Sequence, residues 1–133
     1  MAVMLDADVI IRGEKGKFDL AGWFESQPEE QFQVAAVTVA ELWHGVERAS
    51  SLQRMQRERY LRAILETLPI VTYDAETAYF HARIWAALEA AGKMTGPYDL
   101  ILAASALRQG SAVATFNLTH FSEVPGLRVI VPQ

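Results

Sequence analysis

Apolar residues fall along the chain in five short, near-continuous runs: Ala2–Leu5, Gln33–Val37, Pro69–Thr72, Ser111–Thr115 and Leu127–Val131. Their length and their lack of strict alternation predict β-strands covered on both faces. The stretches between them carry helical spacing. Lys17–Ser26 holds Phe18, Trp23 and Phe24, and Val39–Ala49 keeps Leu42, Trp43 and Val46 on one stripe. Ser51–Thr67 is charged early and apolar later. Ala75–Ala91 opens after Asp74, a capping residue, and stops at Gly92. Tyr98–Gln109 follows Gly96–Pro97 and stops at Gly110, a residue suited to the left-handed turn after a helix.

Strands alternating with helices predict an α/β fold with a central, mostly parallel sheet of about five strands and helices on both faces. In such sheets ligands bind beyond the carboxyl ends of the strands, so chemistry is sought there.

Composition narrows the class. The chain has 133 residues, 51% hydrophobic and 21% charged, which favours one compact domain over residues 1–133 and excludes a disordered chain. No apolar run approaches the roughly 20 residues of a membrane-spanning helix. Asp6 and Asp8 interrupt the first apolar stretch and argue against an export signal. With no cysteine, disulfides, thiolate zinc sites and a cysteine nucleophile are excluded. The net charge of −4 counts against a broad nucleic-acid-binding face. It leaves open a metal that neutralises carboxylates locally.

Three acids stand where chemistry is sought. Asp6 closes the first strand and reads equally as a metal ligand or as the N-cap of a helical turn at Ala7–Ile11. Glu41 lies in Thr38-Val39-Ala40-Glu41, and that spacing alone favours a capping box over a site carboxylate. Asp99 sits in the first turn of an apolar helix, where the helix dipole favours an acid in any case. Taken together they could converge at one rim of the sheet. Like charges brought close raise one another's pKa, and a divalent cation with a preference for oxygen relieves the conflict. Asp8 reads first as an exposed helix-start residue. Asn117 follows the fourth strand and reads either as a site residue or as a cap before Thr119-His120-Phe121.

Other groups carry less. Glu41 and His44 form one Glu-x-x-His pair, where a di-iron bundle needs two. His44 reads as a helix-surface or partner-facing residue and His81 as structural, while His120, near enough to Asn117 to neighbour the site, reads first as a packing residue. Trp43, Tyr79, Phe80 and Trp85 read as core, with some available for an interface. Arg54, Arg57, Arg59 and Arg62 read as a solvated face before a phosphate-tracking strip. Asp6-Ala7-Asp8 matches the Asp-x-Asp of aspartyl-phosphate phosphatases, without the later acidic pair those enzymes use.

The chain resembles PIN-domain ribonucleases of the VapC toxin type over nearly its whole length. The resemblance rests on LDADVII at 5–11, TVAELWHGVE at 38–47, YDAETAYFHARIWAALEAAG at 73–92, GPYDLILAASAL at 96–107 and TFNLTHFSEVPGLRV at 115–129. It implies a PIN-like, Rossmann-like three-layer α/β/α fold. It further implies that Asp6, Glu41 and Asp99 bind Mg²⁺ (or Mn²⁺), with Asn117 orienting water or phosphate where many relatives carry a fourth acid. The implied activity is metal-dependent endoribonuclease cleavage of tRNA or rRNA in the cytoplasm, leaving a 5′-phosphate. The implied partners are a second copy of the chain and a cognate VapB-type antitoxin, which alone would contact operator DNA. The antitoxin groove would be formed by the exposed part of the Val39–Ala49 helix and its neighbours. Two alternatives stand beside this: a catalytically weak PIN domain acting mainly as an antitoxin-binding regulatory module, and an Asp-x-Asp phosphatase.

Overall fold

The computed structural model describes residues 1–133. Five strands form one parallel sheet in the order β3-β2-β1-β4-β5. They are β1 (Ala2–Leu5), β2 (Gln31–Ala35), β3 (Ile70–Val71), β4 (Ala112–Ala114) and β5 (Val129–Ile130). Six helices join them: α1 (Ala7–Glu14), α2 (Leu20–Ser26), α3 (Ala36–Arg48), α4 (Ser51–Thr67), α5 (Ala75–Ala90) and α6 (Pro97–Gln109).

Successive side chains of a strand point to opposite faces, and here the alternation builds two cores. Val3, Leu5, Val34 and Ala114 enter one core with Val9 and Ile10 of α1, Trp23 of α2, Leu42 and Val46 of α3 and Leu61 of α4. Met4, Ala35, Val71 and Val113 enter the other with Ile84 and Leu88 of α5 and Leu100 and Ala103 of α6. The sheet is therefore buried on both sides, and its strands are apolar throughout apart from Gln31 and Gln33 of β2. That is the three-layer α/β/α arrangement the hydrophobic pattern implies.

Helix ends follow their caps. Asp74 accepts from the Thr77 backbone N–H at 2.9 Å and opens α5. Gly110 ends α6 at φ 66°, a conformation that costs other residues energy. Asp19 accepts from the Gly22 N–H at 3.0 Å, so α2 starts at Leu20 rather than Lys17.

One boundary matters for function. The apolar run at 33–37 does not remain a strand to its end. β2 stops at Ala35 and α3 begins at Ala36, because the first helical turn is as buried as the strand before it. Thr38 therefore lies inside α3, fully buried, and caps nothing. The capping-box reading of Thr38 and Glu41 fails, and Glu41 is released from any backbone duty.

Candidate active site

β1 leads through α1 and α2 to β2 on one side, while its other neighbour is β4, so the connections diverge between β1 and β4. A crevice opens at the carboxyl ends of two strands whose connections run in opposite directions. The residues just past those ends are Asp6 after β1 and Thr115 after β4.

Asp6 serves both roles open to it. It caps α1, with Oδ1 accepting from the Ala7 N–H at 2.8 Å. Its Oδ2 accepts from the Thr115 hydroxyl at 2.8 Å. The side chain is buried, with only 6% of its surface exposed. Burial first, then the charge of Asp8 and more weakly that of Asp99, push its carboxyl from an ordinary 3.8 up to about 6, against the pull of the two hydrogen bonds.

Glu41 projects from the second turn of α3 towards the same crevice. Burial, then the charges of Asp6 and Asp99, raise its carboxyl to about 7. Asp99, in the first turn of α6, is likewise raised by burial and by Asp8, and held back by the nearby His120 imidazole. The charges of Asp6, at the N-cap of α1, and of Asp99 in α6 thus both act on Glu41 in α3, and that of Asp99 acts on Asp6 as well. They are neighbours in charge rather than in contact, and no three acidic or histidine side chains form a closed metal cage.

Asp8 is not the exposed helix-start residue expected. It is half-buried, and its Oδ2 accepts from the Phe116 N–H at 3.0 Å and from the Asn117 side-chain amide at 3.1 Å. The acid ties α1 to the loop after β4. Its other oxygen, Oδ1, is buried and unpartnered. Asn117 spends its amide on Asp8 and makes no side-chain cap on the 3₁₀ turn Leu118–His120. Thr115 was not singled out from sequence. Besides donating to Asp6, its oxygen accepts from the Asn117 N–H at 2.9 Å. Its one signal was a small polar residue closing an apolar run, the same position Asp6 holds after β1.

His120 is half exposed rather than packed, with Nδ1 3.1 Å from Asp99 Oδ2. His81 bonds the Tyr73 hydroxyl at 2.8 Å and stacks on Trp85, on an outer face of α5. The arginines of α4 are only in part a solvated face. Arg57 reaches Glu14 at 3.4 Å, Arg54 reaches Glu47 at 2.8 Å and Arg62 lies over the Trp43 ring. They tether α4 to α1 and α3.

The donor set suits a hard dication. It is all carboxylate oxygen, partly desolvated and mutually repelling, with one orphaned buried oxygen on Asp8. Mg²⁺ usually keeps several waters and takes one or two carboxylates directly, so a closed cage is not required. A separate cavity of about 130 Å³ lies between α1, α3 and α4, lined by Ile10, Ile11, Leu42, Gly45 and Tyr60, with Glu41 at its edge.

Known proteins agree with this architecture. The chain is 30% identical over 96 residues to the tRNA(fMet)-specific endonuclease VapC of Salmonella typhimurium, covering 72% of this chain and 71% of the relative. The crystal structure of DNA-bound VapBC from the same organism superposes with a TM-score of 0.89 at 27% identity, over 98% of both chains. VapBC2 from Rickettsia felis, bound to a promoter DNA fragment, superposes with a TM-score of 0.92 over 100% of both chains; at 21% identity it speaks for the fold alone. The sequence profile of the PIN domain family matches residues 3–127. With that match spanning β1 to β4 and every acid of the crevice, the chain belongs to the PIN-domain family, among its VapC ribonucleases.

Proposed function

We propose that the chain, a single PIN domain over residues 1–133, is a cytoplasmic endoribonuclease toxin that hydrolyses RNA phosphodiester bonds with Mg²⁺ or Mn²⁺ and is neutralised by a VapB-type antitoxin. One observation carries the catalytic part: at the switch point of the sheet the charges of Asp6 and Asp99 both raise the proton affinity of Glu41, and Asp99 also raises that of Asp6. Unrelieved, that repulsion is a cost to the fold, and a dication turns it into binding energy.

Asp6 and Asp99 hold the cation, and Glu41 completes its surroundings or positions the attacking water. When bound, the cation lowers the pKa of water and offsets charge on the phosphoryl oxygens. Thr115 and the Ala7 N–H fix the Asp6 carboxylate. Asp8 and Asn117 hold the loop after β4 against α1, so the wall of the crevice keeps its shape. Arg12, with its guanidinium 4.3 Å above the Phe116 ring, supplies a cation beside this wall for the phosphates of tRNA or rRNA.

The α1–α3–α4 cavity fits an apolar antitoxin segment, and its edge at Glu41 lets a following arginine reach the acids. Tyr73, Tyr79 and Trp85, exposed on and beside α5, suit a homodimer contact. Operator DNA is contacted through the antitoxin.

Purified protein incubated with tRNA and rRNA tests the catalytic claim. Cleavage with Mg²⁺, its loss with EDTA, and its loss in folded Asp6→Ala and Asp99→Ala variants support it. Metal-independent cleavage refutes the metal site, and no cleavage by the intact protein refutes the nuclease reading and leaves a regulatory module.

A further inference from the structure

The loop after β4 brings to the crevice neutral or basic donors in place of a further acid. Asn117 spends its amide on Asp8 Oδ2, and His120 Nδ1 stands 3.1 Å from Asp99 Oδ2. The imidazole is 52% exposed, yet its backbone is pinned. The His120 N–H donates to the Asn117 carbonyl at 3.1 Å, the Thr95 hydroxyl reaches the His120 carbonyl at 3.5 Å, and the next residue, Phe121, is fully buried. The exposed imidazole thus stands on a fixed backbone, with Nδ1 against the Asp99 carboxylate rather than in the core.

We infer that His120 is a positioning residue: its Nδ1–H occupies Oδ2 of Asp99 and fixes the carboxylate, which would leave Oδ1 free for a divalent cation. This rests on the metal-dependent reading above. The second-sphere logic is general. A ligand carboxylate whose far oxygen is hydrogen-bonded loses less rotamer freedom on binding, and removing such a partner costs ~10–100-fold in metal affinity.

The test measures Mn²⁺ affinity by calorimetry, without RNA, in the wild-type chain and in His120→Ala, His120→Asn and His120→Gln. An asparagine amide stands near the place of Nδ1; a glutamine amide stands near the place of Nε2. The expected result is about tenfold weaker binding in His120→Ala and His120→Gln, with His120→Asn close to wild type. In RNA cleavage, the metal concentration for half-maximal rate should shift with the affinity while kcat at saturating metal stays near wild type. Melting curves confirm folding, and His120→Gln keeps the comparison usable if His120→Ala is unstable, unchanged affinity there counting equally against the inference. Unchanged Mn²⁺ affinity in a folded His120→Ala overturns the inference and leaves the nuclease reading standing. A wild-type chain that binds no Mn²⁺ and cleaves no RNA overturns both.

Discussion

The hydroxyl of Thr115 donates to Asp6 Oδ2 at 2.8 Å, joining two residues 109 positions apart at the ends of adjacent parallel strands. Both groups are buried, so this bond is the floor of the crevice. Thr115→Val keeps the shape and removes the donor. Leaving a buried acceptor unsatisfied costs about 1–3 kcal/mol. The variant should melt lower in metal-free buffer and regain part of the difference with Mg²⁺, as differential scanning calorimetry will show.

Asp8 is a structural acid. Asp8→Ala strips the Phe116 N–H and the Asn117 amide of their acceptor, and about 1–3 kcal/mol of stability should go with it. Asp8→Asn keeps one acceptor oxygen and should lose less. Urea midpoints of the two variants, compared at constant slope, separate these outcomes.

The metal-free protein should lose stability as pH rises. The carboxyls of Asp6 and Glu41 are raised to about 6 and about 7, so the folded state holds protons that the unfolded chain releases near pH 4. The stability this gives is complete below the unfolded values and is lost as pH climbs through about 6 and then about 7. For buried Asp6 the loss is on the order of 2 kcal/mol. Melting temperature against pH should fall from 5 to 8 without metal. Divalent cation should flatten the slope, since it takes the place of the protons.

Tyr79 and Trp85 are 56% and 53% exposed on α5. Aromatic anchors of an interface typically contribute about 2 kcal/mol or more, roughly thirtyfold in Kd. Tyr79→Ala with Trp85→Ala should shift a homodimer towards monomer in sedimentation equilibrium without lowering the melting temperature of the monomer.

Much of this was legible along the chain, and the reasons differ from residue to residue. Strands buried on both faces announce themselves as apolar runs, so Asp6 could be placed at a strand end and the rim named as the place for chemistry. Glu41 was obscured because Thr38 imitates a helix cap. Only the buried first turn of α3 shows that the helix starts at Ala36 and that Thr38 lies inside it. The favoured readings of Asp8 as exposed and His120 as packed failed for a common reason. Their partners lie more than 100 positions away for Asp8 and 21 away for His120, and no local periodicity reports contacts made by chain reversal. The Arg54–Arg62 series looked like a solvated face because its partners, Glu14, Glu47 and Trp43, belong to other helices.

Crystals soaked in Mn²⁺ and measured at the manganese absorption edge test the central claim most directly. An anomalous peak in the crevice, bonded to Asp6 or Asp99 and facing Glu41, is the predicted result. Peaks confined to other surfaces, with the crevice acids left to one another at saturating Mn²⁺, would contradict it.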